Sequence, residues 1–440
     1  RLMRLFGHRV IGDVHLGDWG LPMGLVMAEL SERFPDCSCF TDNYNEGDRL
    51  PEFTADELNE IYPFANKKSK SDPDFNNKAH KYTYELQQGR PGLYALWRKI
   101  WQTSVDDLKA TYEKLSVSFD LWYGESDADK YIEEAVNIIK DKGLLIKDQG
   151  AQIVDLAEEG DKAPIPPAII FKSDGSVNYQ TTDIATLLQR QKDFAPDKVW
   201  YFVDKRQELH FLQVFRTVKK AGIIPQSTEL KHFPFGTMNG KDGKPFKTRE
   251  GGVMPLSELL KTVTDSALVK MKESGNGTEG DQLEAAQKIG IAAIKFGDMI
   301  NQMNKDYCFD LDKFLSFEGK TGTYILYTIT RINSLLKKAG EPSDEAVIGC
   351  AYGEAERRLM LRAIQTADIF VAAAEETSLN YIAENAYQLA AAFSQFYHDN
   401  HILSEPDEEK RSSWLCLCKF IRSLLVLHMD VLGIETVEFM

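Results

Sequence analysis

Through the first 270 residues, short apolar runs alternate with helically spaced apolar sets, the pattern of a largely parallel sheet with crossover helices. Val199-Trp-Tyr-Phe-Val203 is a continuous apolar run between Lys198 and Asp204 and predicts a strand buried on both faces. Behind it, Leu209, Leu212, Phe215 and Val218 keep helical spacing as far as Gly222, a residue suited to the left-handed position just past a helix end. Ser104 and Asp107 ahead of Leu108, Tyr112 and Leu115 read as a capped helix start. Ser126 and Asp129 do the same for Ile132, Ala135, Val136 and Ile139, with an end near Gly143. Ala168–Phe171 and Val177–Gln180 flank Ser173-Asp174-Gly175, predicting a hairpin whose second arm runs into a helix starting near Thr182.

The pattern then changes. Lys270 to Glu284 is polar, contains Gly275-Asn-Gly277, and predicts a surface loop between lobes. From Thr321 to Met440 the only prolines are 342 and 406, and Ala/Leu-rich periodic stretches such as Ala386 to Phe396 predict a helical bundle.

A length of 440 residues exceeds what one core supports, so several domains are expected, and 43% apolar content excludes a disordered chain. No apolar run is long enough to span a bilayer, so no membrane partner is expected. The opening RLMRLFGHRV has neither an initiator Met nor a signal-peptide pattern and is read as a chain whose true start is missing. The net charge of −15 argues against indiscriminate polyanion binding. Lys198 to Glu250 is opposite in sign, with eleven Lys or Arg against five Asp or Glu, so any polyanion is expected to meet that patch. Six cysteines over this length suit a reducing cytoplasm. The Cys37/Cys39 and Cys416/Cys418 pairs are too tightly spaced for a structural zinc site, and no protein-bound structural metal is expected.

Eight segments carry a resemblance in order along the chain: GHRVIGDVHLGDWG (7–20), FDLWYGES (119–126), NYQTTDIA (178–185), DKRQELHFLQ (204–213), HFPFGTMNGKDGKPFKTREGG (232–252), DYCFDLDKFLSFEG (306–319), FYHDNHIL (396–403) and VLGIE (431–435). Together they resemble the arginyl-tRNA synthetases. The resemblance implies an α/β Rossmann-type class I synthetase catalytic domain followed by an all-α anticodon-binding bundle. Its implied division is a catalytic domain over 1–270 with inserted connecting helices at about 50–165, a tRNA stem-contact region over 271–320 and the helical domain over 321–440. Its implied reaction joins arginine to its tRNA at the expense of ATP through an arginyl-adenylate, in the cytoplasm, with Mg2+ accompanying the nucleotide.

Several residues acquire roles on this footing. Tyr179 and Asp183 lie at a strand-to-helix junction and Gln207 just after the next strand, at the carboxyl ends where open α/β sheets bind ligands. A carboxylate such as Asp183 can accept two parallel hydrogen bonds from a guanidinium, so these three are assigned to arginine. By spacing alone, Asp183 better fits a helix cap and Tyr179 a packed ring, and it is the resemblance that favours the arginine roles. Lys244, Lys247 and Arg249 lie in a glycine-bounded basic loop without Walker spacing; the resemblance makes them catalytic cations acting on the triphosphate, whereas charge alone fits a solvated turn. Phe235 and Gly236 are placed beside adenine. His210 reads two ways, reaching ATP or closing a core hydrogen bond, and Gln213 shares its helix face. Gly17-Asp18-Trp19-Gly20 is read as scaffold. Tyr397 and His398 are candidate tRNA contacts, with core packing the other reading. Trp414-Leu-Cys-Leu417 stands where the family often has Arg-Leu-x-Leu. The family's His-x-x-His ATP motif and first sheet strand are expected ahead of Arg1, which leaves open a second function, a non-catalytic tRNA-binding or regulatory derivative.

Overall fold

The structure, a computed structural model, describes residues 1–173, 179–240, 242–244, 254–274, 278–343 and 346–440; the side chains of Tyr179 and Ser274 lie outside that description. Strand β1 (Asp13–Leu16) pairs in parallel with β2 (Leu121–Gly124), Asp13 standing opposite Leu121. Between them run the helix Leu21–Arg33 and the inserted helices Ala55–Ser69, Pro73–Gln87 and Pro91–Lys114, packed around Met27, Leu30, Ile61, Leu86, Leu93 and Leu96. Gly24 permits the closest approach in this layer, since a Cβ there would meet Ala79 O at 2.3 Å. Strands β3 (Leu145–Asp148), β4 (Ala151–Val154) and β5 (Ala168–Phe171) form an antiparallel sheet of their own. Strand β6 (Lys198–Asp204) pairs in parallel with β7 (Glu229–Phe235) across the helix Glu208–Ala221, which ends at Gly222 with φ of 73°.

Among the described residues, no backbone ladder joins the β1–β2 pair to the β6–β7 pair. A side chain does part of that work. Arg190, on the helix Tyr179–Phe194, is buried, pairs with Asp13 and lies 5.2 Å from the Tyr123 ring centroid.

Beyond the sheet-containing layers, the helices Leu256–Ser274 and Glu279–Met299 share one core with the bundle Gly322–Ala339, Glu354–Ile364, Thr366–Glu375, Asn380–Asp399 and Glu408–Val431. Short strands β8 (Met238–Asn239) and β9 (Tyr307–Cys308) stitch this region to the end of β7. Lys295 is a further tie. Its Nζ donates to Leu115 O at 2.7 Å and to Gly433 O at 2.5 Å, and burial lowers its pKa to about 8.

Several sequence-based expectations change. The run 199–203 is buried on one face only: Tyr201 packs on Phe211 and Phe215, whereas Phe202 is 55% exposed. Strand β5 pairs with β4, and residues 179 and 180 of the predicted second arm belong to a helix; Asp174, Gly175, Val177 and Asn178 of the predicted hairpin lie outside the described residues. Ser104 is interior to one helix, Pro91–Lys114, because the apolar stripe begins at Leu93 and no breaker interrupts it. Helix also consumes most of the predicted 270–284 loop. Thr278 and Asp281 form a capping box that starts the helix at Glu279, while the helix before it continues to Ser274, so the proposed domain boundary at 270/271 falls within a helix.

Candidate active site

The turns after β1 and β2 interlock. Buried Asp18 accepts the Ser126 N–H at 3.1 Å on Oδ1 and the Ser126 hydroxyl at 2.7 Å on Oδ2. A Cβ on Gly124 would lie 2.4 Å from Asp18 Oδ1, so glycine is required there. Trp97 Nε1 donates to Asp18 O at 2.9 Å and its ring meets Trp19 edge-on at 5.1 Å. Asp18 and Trp19 are thus scaffold, and what they position is Glu125, the first residue after Gly124. Burial, reinforced by the neighbouring carboxylates Asp183 and Asp18, pushes Glu125 up to about 7.

Asp183 stands inside the helix Tyr179–Phe194, beyond its cap. Its Oδ2 lies 2.5 Å from His210 Nε2 and its Oδ1 3.7 Å from His15 Nε2. His210, read from sequence as an ATP or core contact and only 7% exposed, therefore sits against the carboxylate assigned to arginine. The structure thus gathers Asp18, Glu125 and Asp183 with two imidazoles. Within this group it is Glu125 that burial, then Asp183 and Asp18, hold above the ordinary carboxylate range. Gln207 ends the turn Lys205–Gln207 after β6 and is exposed. Tyr179 opens the helix, with its side chain outside the described residues. Gln213 joins a buried lattice with Gln180, whose Nε2 lies 2.5 Å from Gln213 Oε1 and whose Oε1 accepts Ile169 N–H, fastening helix to β5.

At the end of β7, Phe235 is 43% exposed and lines a cavity of about 580 Å³ with Trp200, Phe202 and Met238. Gly236 follows, donating its N–H to Met303 O at 2.9 Å; a Cβ there would strike the Lys305 carbonyl carbon at 2.4 Å. Asp306 Oδ1 accepts both Thr237 N–H at 2.8 Å and Lys205 Nζ at 2.9 Å, so the root of the basic loop is clamped to the region joining the bundle. Lys244 is exposed at the loop's start; Lys247 and Arg249 lie outside the described residues. The two tRNA candidates separate: the Arg331 guanidinium lies 5.3 Å from the half-buried Tyr397 ring, whereas His398 is exposed on the last turn of its helix.

Residues 1–311 match the family model for class I tRNA synthetase (R) catalytic domains, and residues 325–440 match the DALR anticodon binding domain. The chain belongs to the class I arginyl-tRNA synthetase family. It is 47% identical to the arginine–tRNA ligase of Alkaliphilus oremlandii and 48% identical to that of Agathobacter rectalis, in each case over 100% of this chain and 76% of the relative. The arginyl-tRNA synthetase structure from Plasmodium falciparum superposes with a TM-score of 0.81 at 24% identity, covering 100% of this chain and 71% of that one. The Thermus thermophilus enzyme gives 0.81 at 21%, covering 100% and 77%. These structures share the fold of a class I synthetase catalytic domain carrying a helical anticodon-binding domain.

Sequence reasoning passed over Glu125 and His15, although both stand in segments quoted for the resemblance. The available signal was positional: Glu125 directly follows a strand and opens a helix, the same carboxyl-end logic that selected Asp183. The importance of Asp13 and Arg190 carried no local signal, because their partnership spans a long sequence separation.

Proposed function

We propose that the chain serves the arginine–tRNA ligase reaction as the larger part of the enzyme, and that its Asp183 and Glu125 receive the substrate guanidinium. The observation that carries this is that Glu125, at the end of β2, and Asp18, after β1, lie with Asp183 of the helix Tyr179–Phe194, where burial and the two neighbouring carboxylates raise Glu125. A planar guanidinium offers paired N–H donors to two carboxylates at once, which an ammonium cannot match. His210 holds Asp183 from behind, while Tyr179 and Gln207 contact the amino-acid portion. Phe235 and Gly236 border adenine. Lys244, Lys247 and Arg249 stabilise charge on the triphosphate, where preorganised cations lower the barrier. Mg2+ arrives with ATP as part of the substrate. His398 and Tyr397 lie on the anticodon side, and the reaction takes place in the cytoplasm.

The chain spans about three quarters of the length of its curated relatives. We infer that the complete ATP site draws on a His-x-x-His segment and a strand between β1 and β6, a reading supported by the part of the relatives' length that this chain does not span. The test is a filter-binding assay beside arginine-dependent pyrophosphate exchange. The 440-residue chain is expected to bind tRNA without exchange, and the complete encoded protein to do both. Robust exchange by the 440-residue chain overturns the account of the ATP site, and exchange by neither overturns the ligase reading.

A further inference from the structure

The loop leaving the helix Leu21–Arg33 carries two thiols outside every site described above. Cys37 is extended, with φ of −73° and ψ of 125°, immediately before the 3-10 turn Ser38–Phe40, so the Cys39 side chain folds back toward it. Their sulfurs stand 2.9 Å apart. The turn is braced on both sides. Ser38 Oγ donates to Asp48 Oδ2 at 2.8 Å and Arg90 Nη2 donates to Phe40 O at 2.9 Å. Gly92 packs so tightly that a Cβ on it would lie 2.3 Å from Cys39 O. The thiols are therefore held together rather than free to swing apart.

Their environments differ in a useful way. Cys37 is partly exposed and lines a surface cavity of about 380 Å³ with Arg33, Arg49 and Pro51. Cys39 has no exposed surface, and burial beside Cys37 pushes its thiol pKa up. One sulfur can be reached by a soluble reagent; the other waits behind it. No other cysteines combine these properties: Cys308 and Cys350 are exposed and distant in sequence, while Cys416 and Cys418 are buried two apart on one helix, where side chains do not face each other.

We propose that Cys37 and Cys39 form a redox-active dithiol, a site of reversible modification by low-molecular-weight disulfides. The Cys37 thiolate, having lost its proton to solvent, attacks one sulfur of the disulfide; a Cys37 mixed disulfide forms and the first small thiol departs. Cys39 attacks Cys37 Sγ, forming the Cys37–Cys39 bond and expelling the second small thiol as a thiolate, which takes up the Cys39 proton. Two protein thiols are oxidised by two electrons and one disulfide is reduced to two thiols. A bridge between cysteines separated by one residue closes a small ring, and strained bridges of this kind are readily reduced again. A reducing compartment keeps the pair open, and oxidative conditions close it.

Residues Phe34–Arg49 form a single tryptic peptide containing both cysteines and no others. The folded chain is incubated with oxidised glutathione, quenched with N-ethylmaleimide, digested and weighed. The expected peptide is lighter by two hydrogens and unalkylated, and dithiothreitol restores two alkylatable thiols, under conditions where Cys308 and Cys350 carry glutathione adducts. In Cys39→Ser the intermediate is trapped as a stable Cys37–glutathione adduct; in Cys37→Ser, Cys39 remains a thiol. Wild-type peptide that keeps two alkylatable thiols, or stops at one glutathione adduct, overturns the proposal, a result that requires neither variant to fold.

Discussion

If Glu125 shares the guanidinium with Asp183, arginine binding must be linked to proton release. Burial and its acidic neighbours raise Glu125 from the ordinary 4.5 to about 7. That shift of about 2.5 units corresponds to about 3 kcal/mol held against ionisation, as each unit is worth about 1.4 kcal/mol. A bound guanidinium reverses the balance by favouring the carboxylate. At pH 6, roughly nine in ten free molecules carry the proton, so binding expels close to one proton; at pH 8 it expels few. Arginine affinity therefore falls roughly tenfold per pH unit below 7 and levels off above it. Calorimetry of the complete encoded protein in two buffers of unlike ionisation enthalpy, at pH 6 and pH 8, reads both quantities. Glu125→Gln is expected to weaken binding and abolish the linkage, which separates this group from His15 and His210. Identical heats in both buffers at pH 6, with affinity flat across the range, would refute the assignment. The same shift has an opposite signature in the free protein. A carboxyl with a raised folded pKa contributes stability that is present below 4.5 and lost as pH rises through about 7.

Asp183→Asn is expected to keep the fold and weaken arginine by about 1.5–3 kcal/mol or more, since a charge-assisted contact is lost and a cation is left under-paired; unchanged affinity by calorimetry removes the residue from the pocket. Changing Lys244, Lys247 and Arg249 together to Ala is expected to depress pyrophosphate exchange in the complete protein while tRNA affinity stays near wild type, and the reverse result would move the loop to the RNA face. His428 is fully buried, donates from Nδ1 to Leu424 O at 2.6 Å, accepts from Asn385 at Nε2, and is depressed by burial from 6.5 to about 4. Its linkage runs the other way from Glu125: about 3 kcal/mol of bundle stability is present above 6.5 and lost as pH falls through 4, so a pH series of melts that does not flatten in His428→Gln would contradict it. Gly24→Ala is expected to destabilise the inserted helices by about 1–3 kcal/mol through contact with Ala79 O, measured by urea unfolding.

Local chemistry determined a good deal by itself. The helix Glu208–Ala221 and its end at Gly222 follow from apolar spacing and one residue able to take a positive φ. The strand at 198–204 follows from an unbroken apolar run, and the bundle from the scarcity of breakers after Thr321. Position at a junction favours a helix cap for Asp183, and the family resemblance is what assigns it to arginine. Pairing and faces were a different matter, because they depend on what arrives from elsewhere in the chain. The run 199–203 has the same composition whether one face or two are covered, and only the placement of the helix Glu208–Ala221 made Tyr201 core and left Phe202 bordering a cavity. Strand β5 carries no mark naming β4 as its partner. Glu125 looks like any helix-opening acid until Asp18 and Asp183 are brought beside it, and His210 acquires its partner only because two helices pack together. Sequence speaks through periodicity and caps, which are local; a shifted pKa is a sum over neighbours, and those neighbours exist only once the chain has folded.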